Sequence, residues 1–552
     1  MSDVAGIPRF NDPEGSIERR GFEDNMFSNS RLPGMGWEAG NMFNTTLFMP
    51  NCDMNEAVFV DRVWGQWGER SVDLCLRQDS PMIMQEIFYS NAMRRLQAVE
   101  QLTLPPQYST IPNTAAFSRF EHLWGSVLFA KIMSERQGLS DEESLNCQLR
   151  TLVSDMAHTT GSHIGDWIFQ GIDGGENQHD LELEDYLEVT GINDILKKHD
   201  IDPKDVVFPD KNDWVEASSP DLCIDRVDYG LREMRRWMDV IEHACFSEDD
   251  FVITPENQLA MTNLQRARLF SEGFLLLSQE HWSEPTHRFL EDLYILQTKL
   301  LYIERGGPDT WVFKPDHVDS GLIMLHEIHP RDLMYVTDHT QLRSLARPSL
   351  VGNTFNAIMS SVAQYHRQYV WPGRRERINN YLWQFTANQY EATKASGKYT
   401  SLDDEKFSSY LSEYPAYLPT GFTILDENDD KQKDNGQYID IPQPPFKVRQ
   451  IDPLVQTEDG FERLSVLDPS YADRLKEHRA GLAATKIARI AMPDEHSYNL
   501  LKSTLANIDD RWKELLDSTR RMKPDEFQAL IEVSASEIHG QYPFLSFMSY
   551  WK

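Results

Sequence analysis

Apolar residues recur at helical spacing through most of this chain. Leu145, Leu149, Leu152 and Met156 fall on one stripe of a helix that starts after a Ser-Asp-Glu-Glu cap signal. The same period appears in residues 121–136, 264–280, 287–303 and 471–490. Runs typical of strands are few and short. The pattern therefore predicts an all-α fold with minor β elements.

Changes in composition divide the 552 residues into three predicted parts. Residues 1–79 begin with a stretch rich in Gly, Pro, Asn and Met and form an irregular arm. Residues 80–320 carry most of the helical periodicity and form the core. Residues 321–552 form an α-rich C-terminal region with a polar loop near 426–445.

The chain is strongly acidic, which limits the partners that it can bind. It has 87 Asp and Glu against 54 Lys and Arg, a formal net charge of −33. A polyanion meets net repulsion from such a surface, so we expect neither general nucleic-acid binding nor binding to an anionic membrane. Any site for phosphate must therefore be a local basic pocket.

Two features predict a cytoplasmic protein. The first residues include charges and lack the 7–15-residue apolar stretch of a signal peptide, and no run approaches the roughly 18 apolar residues of a spanning helix. The five cysteines are odd in number and form no CxxC pair. This pattern favours reduced, buried thiols over a disulfide framework or a zinc site.

Histidines and carboxylates cluster in residues 154–166. On a helix, Asp155 and His158 share a face, and Gly161 is expected to end that helix so that His163 and Asp166 turn back over it. Such a group can hold a divalent ion. The spacing leaves open the alternative that the imidazoles are structural side chains held by hydrogen bonds.

Five motifs in chain order resemble those of a known family. They are residues 92–102, the Ser-Arg-Phe-Glu-His run at 118–122, the window 154–166, Gln-His at 178–179, and residues 220–232 with their Asp-Arg-Val-Asp-Tyr run. The chain resembles an HD-superfamily phosphohydrolase, in the branch of the SAM-and-HD-domain deoxynucleotide triphosphohydrolase and its bacterial relatives. The likeness covers about residues 80–300, and a weaker one to bacterial members covers residues 451–454 and 463–471.

The resemblance implies a helical HD core and a divalent metal, which would be Mn, Mg or Fe. It assigns the metal ligands to His122, Asp155 and Asp225. The sequence departs from the family at Ser154, which stands where the histidine of the His-Asp pair would be. Because a serine hydroxyl is a poor ligand for a divalent ion, we expect a lower metal affinity than in the family.

The resemblance also implies roles around the metal. Four residues would transfer protons and orient phosphate, with Asp166 holding His179 as the general acid: His158, His163, Asp166 and His179. Four more would bind substrate: Gln101 near the sugar, Arg119 and Arg226 on the phosphates, and Tyr229, for which a role in the pocket wall is the alternative.

The function implied is hydrolysis of a (deoxy)nucleoside triphosphate to nucleoside and triphosphate. The alternative is a catalytically weakened HD protein that acts as a nucleotide-binding or protein-interaction module. Ser154 is the residue that suggests this alternative. A phosphodiesterase acting on cyclic or polyphosphorylated guanosine ranks below both. The family further implies a homo-oligomer and a nucleotide effector.

Overall fold

The computed structural model describes the chain in segments. They are residues 46–50, 57–61, 74–75, 81–88, 90–105, 107–111, 117–169, 178–207, 213–244, 246–305, 350–396, 422–426, 438–443, 449–482, 486–491 and 495–517. All predicted site residues lie within them. Residues 427–437 of the predicted polar loop and most of the predicted arm lie outside the described residues.

Helices make up most of the described chain, which confirms the predicted all-α class. The α-helices are Met82–Phe88, Asn91–Arg95, Arg119–Gln137, Asp141–Val153, Ile164–Phe169, Gln178–Val189, Ile192–Lys198, Pro203–Val207, Ile224–Trp237, Asp239–Ala244, Leu264–Leu277, Pro285–Arg305, Leu350–Tyr365, Trp371–Ser396, Leu464–Leu467, Pro469–Leu482, Glu495–Leu505 and Ile508–Asp517. In the part of the chain that is described, none of these is both long and apolar enough to cross a bilayer.

The helix Arg119–Gln137 lies between two apolar clusters. Its residues Leu123 and Trp124 pack in one cluster, with side chains of the helices Asp141–Val153 and Pro285–Arg305. Farther along, its apolar residues pack in a second cluster, with side chains of the helix Ile224–Trp237 and of the C-terminal region. Burial on both sides holds the first turn of Arg119–Gln137, which carries two predicted site residues, in a fixed position.

A four-stranded sheet joins the core to the C-terminal region. The hairpin Phe251–Ile253 and Leu259–Met261 belongs to the core, and the hairpin Leu454–Thr457 and Gly460–Arg463 belongs to the C-terminal region. The two hairpins join through a parallel pairing of Leu259–Met261 with Leu454–Thr457. The C-terminal region is therefore hydrogen-bonded to the core through its backbone.

Two further three-stranded sheets lie outside the core. One contains Thr46–Pro50, Ala57–Asp61 and Leu74–Cys75, within the predicted arm. The other has Lys486–Ala491 between Phe422–Asp426 and Tyr438–Gln443, the last of which falls in the predicted polar loop. The two boundaries between the three predicted parts stay a prediction.

Local signals predicted some helix ends correctly and others wrongly. Ser140 caps the helix Asp141–Val153 in a capping box with Glu143, as the sequence indicates. The helix predicted over 471–490 ends at Leu482, and Lys486–Ala491 is a strand, because its backbone pairs with two neighbouring strands. This pairing involves partners far away in the sequence, which helical periodicity does not reveal.

Candidate metal centre and active-site pocket

Three predicted ligands, distant in sequence, converge at one point. His122 lies in the first turn of Arg119–Gln137, Asp155 follows the helix Asp141–Val153, and Asp225 lies in the first turn of Ile224–Trp237. His122 Nε2 lies 2.9 Å from Asp225 Oδ1 and 3.4 Å from Asp155 Oδ2. One donor atom from each lies within 4.8 Å of the other two.

This donor set fits a divalent cation. Without an ion, Arg119 and the protonated His122 offset the two carboxylates, and a divalent cation would take the place of the proton on His122 Nε2. One nitrogen and two oxygen donors suit Mn or Fe, and Mg accepts the oxygens. His122, Asp155 and Asp225 would hold the ion, and the remaining coordination positions would face the pocket.

The imidazole of His122 is oriented from behind by Asp228. His122 Nδ1 lies 2.9 Å from Asp228 Oδ2, and Arg232 Nε donates to the same oxygen at 2.7 Å. Burial disfavours protonation of His122, but the hydrogen bonds and charges of Asp225 and Asp228 outweigh it and raise the pKa of His122 to about 9. With Nδ1 engaged by Asp228, Nε2 faces the other two donors.

Asp155 and His158 do not lie on a helix, contrary to the sequence prediction. The helix ends at Val153, and residues 154–158 continue as tight turns in which the His158 amide donates to the Asp155 carbonyl at 3.2 Å. The two side chains still meet, since His158 Nε2 lies 3.2 Å from Asp155 Oδ1. Ser154 lines the pocket, and its hydroxyl donates to the carbonyl of Thr151 at 2.9 Å.

The other four residues of the window and of the Gln-His motif form a second group beside the first. Asp166 accepts from two imidazoles, with Oδ2 2.9 Å from His163 Nδ1 and Oδ1 3.0 Å from His179 Nδ1. The rings of His158 and His179 stack at 3.8 Å. Asp166 is buried and lies behind the two imidazoles, so it orients them.

Burial and charge separate the pKa values of the two stacked imidazoles. Burial, with the charges of Arg119 and His179, lowers the pKa of His158 to about 3. Burial also disfavours the protonated form of His179, but the charge and hydrogen bond of Asp166 override it and raise the pKa of His179. His158 is therefore neutral at neutral pH, and of the two rings His179 is the one whose surroundings favour a proton.

A pocket with a volume of about 280 Å³ opens onto both groups. It is lined by every predicted site residue except Asp166, namely Gln101, Arg119, His122, Asp155, His158, His163, His179, Asp225, Arg226 and Tyr229. Five arginines and six carboxylates occur among its described lining residues. The charged side chains of the lining therefore do not by themselves make the local basic pocket that the sequence led us to expect. A bound divalent cation would add two positive charges.

The predicted substrate-binding side chains differ in the hydrogen bonds that they already make within the protein. The Arg119 guanidinium donates hydrogen bonds to the Asp155 carboxylate and the Ser162 hydroxyl, and Arg226 Nη1 donates to the carbonyl of Asp221 at 2.6 Å. The side-chain oxygen of Gln101 is buried with no hydrogen-bond partner among the described residues. A polar ligand in the pocket would satisfy it.

Tyr229 lies in the pocket wall against aromatic rings. Its ring centroid lies 6.0 Å from that of His122 and 5.8 Å from that of Trp282. Burial, with the charge of Asp225, raises the pKa of the Tyr229 phenol, so the hydroxyl stays protonated. Tyr229 therefore lines the pocket, and its role in binding substrate stays a prediction.

Sequence reasoning missed several residues that position the site. Ser162 adopts the left-handed backbone conformation, with φ 57°, and its hydroxyl contacts Arg119 and donates to the Gln101 carbonyl at 3.1 Å. Arg95 is fully buried and donates to the carbonyls of Met156 and His158 at 3.1 and 2.6 Å. No sequence signal marks a positive φ at a serine, but a buried arginine was detectable inside the first motif.

Comparison with known proteins finds two curated relatives. The metal-dependent phosphohydrolase cns2 of the fungus Cordyceps militaris is 29% identical over 217 residues, which are 38% of this chain and 58% of the relative. The uncharacterized protein YdhJ of Bacillus subtilis is 29% identical over 155 residues, which are 28% of this chain and 44% of that protein. This chain therefore spans about half the length of the curated relatives that it matches. No family model matches the chain.

A solved structure also matches. It is a phosphohydrolase from Bacteroides thetaiotaomicron, 14% identical, with a TM-score of 0.40 over 79% of this chain and 100% of that chain. In this chain, the donor atoms of His122, Asp155 and Asp225 lie close enough together to hold a metal ion.

Proposed function

We propose that this protein is a metal-dependent HD phosphohydrolase that converts a (deoxy)nucleoside triphosphate to nucleoside and triphosphate. The observation that supports it most is the convergence of His122, Asp155 and Asp225 on one point of a pocket that Arg119 and the other predicted histidines also line. The printed name of the relative cns2 supports the reaction class. The choice of a nucleoside triphosphate rests on the motif resemblance.

Two groups of residues would carry out the reaction. The residues at the metal centre would activate water and the phosphate, and the histidine group would protonate the leaving oxygen. The bound ion would lower the pKa of a water and polarise a phosphoryl oxygen. Arg119 would orient the phosphate that is attacked, because it lies next to Asp155 and is held by Ser162. Attack of water on the α-phosphorus breaks the bond to the 5′ oxygen of the sugar, and that oxygen needs a proton.

His179 is placed to supply this proton. Its Nδ1 is bound to Asp166, which leaves Nε2 as the nitrogen that can donate to the leaving oxygen. Asp166 keeps the imidazole protonated and fixes its ring, and stacking on the neutral His158 restricts its rotation. The same nitrogen would regain a proton from solvent after the nucleoside leaves.

The test is a survey of substrates with metal-loaded protein. Each deoxynucleotide and ribonucleotide is incubated with protein and Mn, Mg or Fe, and tripolyphosphate and nucleoside are quantified. Asp225→Asn removes one ligand charge without changing shape, and the exposed Asp473→Asn serves as the matched control. Turnover that Asp225→Asn abolishes and Asp473→Asn retains is expected. Equal product from wild type and Asp225→Asn would overturn the proposal.

A second candidate is a nucleotide-binding module without turnover. It is favoured by Ser154, since the site then has a single imidazole among its proposed ligands. This candidate expects a nucleotide to raise the melting temperature while no product forms. Measuring melting temperature and product in the same samples separates the two candidates.

The metal identity, the assembly and the effector are part of the same proposal. We infer Mn or Fe before Mg, because an imidazole nitrogen is among the donors. We also propose a homo-oligomer and a nucleotide effector, which the resemblance supports, and a cytoplasmic location. Elemental analysis of the purified protein and light scattering with and without nucleotide test the first three.

A further inference from the structure

The C-terminal region contributes one arginine to the pocket, Arg449. It lines the pocket together with the neighbouring Gln450. Its positive charge affects two other lining residues. Together with burial it lowers the pKa of His163, and it partly offsets the rise in the pKa of Tyr229 that burial causes. Arg449 is therefore close to both the histidine group and the helix that carries Asp225.

Hydrogen bonds fix the backbone that follows Arg449. The Gln450 carbonyl accepts from the Ser219 hydroxyl at 3.1 Å, and the Asp452 amide donates to the Pro220 carbonyl at 2.8 Å. The Tyr471 hydroxyl donates to the carbonyl of Ile451 at 2.6 Å. These bonds dock the segment on the loop that directly precedes the helix Ile224–Trp237.

The guanidinium of Arg449 differs from those of the other two candidate phosphate-binding arginines. Arg119 is paired with Asp155, and Arg226 donates to a backbone carbonyl. The Nε of Arg449 is buried and has no hydrogen-bond partner among the described residues. A guanidinium with a donor still unsatisfied beside a pocket can bind an oxyanion, because it offers hydrogen-bond donors and a permanent charge.

We propose that Arg449 is a substrate-binding residue that holds phosphate groups from the C-terminal side of the pocket. This inference rests on the proposed function and goes beyond it, since the motif resemblance placed no site residue in the C-terminal region. The metal centre and Arg119 would hold the phosphate that reacts, and Arg449 would hold the phosphates beyond it. Binding of a polyphosphate would then need both the core and the C-terminal region.

The test compares Arg449→Gln with Arg479→Gln in the full-length, Mn-loaded protein. Arg479 is exposed on the helix Pro469–Leu482, so its variant changes the net charge equally without touching the pocket. Inorganic tripolyphosphate is titrated by calorimetry, and KM and kcat are measured for any nucleotide that wild type hydrolyses. We expect Arg449→Gln to weaken tripolyphosphate binding and raise KM by about tenfold with bound Mn unchanged, and Arg479→Gln to match wild type.

The outcomes separate this inference from the proposed function. Wild type that binds tripolyphosphate more tightly than Arg449→Gln but hydrolyses no nucleotide overturns the function and leaves Arg449 supported. Turnover with equal KM and equal tripolyphosphate affinity in both proteins overturns the role of Arg449 alone. Absence of both binding and turnover in wild type overturns both. If Arg449→Gln fails to fold, Arg449→Lys keeps the charge without the paired donors, and unchanged binding in that variant would contradict a bidentate contact.

Discussion

Asp228 Oδ2 lies 2.9 Å from His122 Nδ1 and accepts from Arg232 Nε at 2.7 Å, so one buried carboxylate oxygen links the proposed metal ligand to a fully buried arginine. Asp228 thereby fixes which nitrogen of His122 faces Asp155 and Asp225.

Replacing Asp228 with Asn tests this link. The amide keeps the shape but removes the charge that holds the His122 ring, so we expect the affinity for Mn to fall by about 10- to 100-fold. Titration of metal-free protein with Mn measures it. Asp473→Asn is the exposed control, and urea unfolding shows whether the variant stays folded. Unchanged Mn affinity in a folded Asp228→Asn would contradict the orienting role.

Replacing Ser154 with His restores an imidazole beside Asp155. We expect more Mn or Fe to stay bound after dialysis, because a neutral imidazole is a far better ligand than a hydroxyl. Elemental analysis per chain measures it. Ser154→Ala is the control: it removes only the hydroxyl, so its metal content should equal that of wild type. A loss of metal in Ser154→Ala would mean that the serine is itself a ligand.

Gly125 is required by a close approach of two side chains. A Cβ at this position would overlap the Arg232 guanidinium and the Asp228 carboxylate. We expect Gly125→Ala to lower the free energy of unfolding by about 2–4 kcal/mol, from overpacking and loss of a buried ion pair. Urea denaturation measures it. Gly481 is the helical control, because a Cβ there meets no atom within 4 Å, and Gly481→Ala should be neutral or stabilising.

His478 predicts how stability depends on pH. Burial lowers its pKa to about 4, whereas an unfolded chain has about 6.5. Between these values the unfolded state binds more protons, so the contribution of His478 to stability falls as the pH falls through this range, by about 2 kcal/mol between pH 7 and pH 5.

The variant His478→Gln has no group that titrates there. It should therefore lose about 2 kcal/mol less than wild type over the same pH interval, while its polar side chain can still accept from Ser278, which lies 2.8 Å from His478 Nε2. Urea denaturation of both proteins at pH 7 and pH 5 measures the difference. Parallel losses in the two proteins would contradict a depressed pKa.

The helices were predictable where the signals are local. The Ser140 cap and the Leu149 stripe lie within one helix, so composition and spacing within about fifteen residues suffice to find them. The order of the motifs also indicated which ligands the structure brings together. Their roles in catalysis stay predictions.

The remaining features depend on partners far apart in the sequence. The end of the helix at Val153, the left-handed Ser162 and the strand Lys486–Ala491 are set by tertiary contacts that compete with local preference. The position of Arg449 depends on how residues 450–452 dock against residues 219–220. Neither spacing nor residue type encodes such a contact.

The parallel pairing of Leu259–Met261 with Leu454–Thr457 has a consequence for synthesis in the cell. The two strands are about 190 residues apart, and a ribosome adds about 5–20 residues per second, so the earlier strand emerges some 10–40 s before its partner. During that interval the nascent polypeptide has the three proposed metal ligands but an exposed strand edge, which is a point of aggregation. A chaperone that shields this edge during translation would therefore raise the yield of active protein.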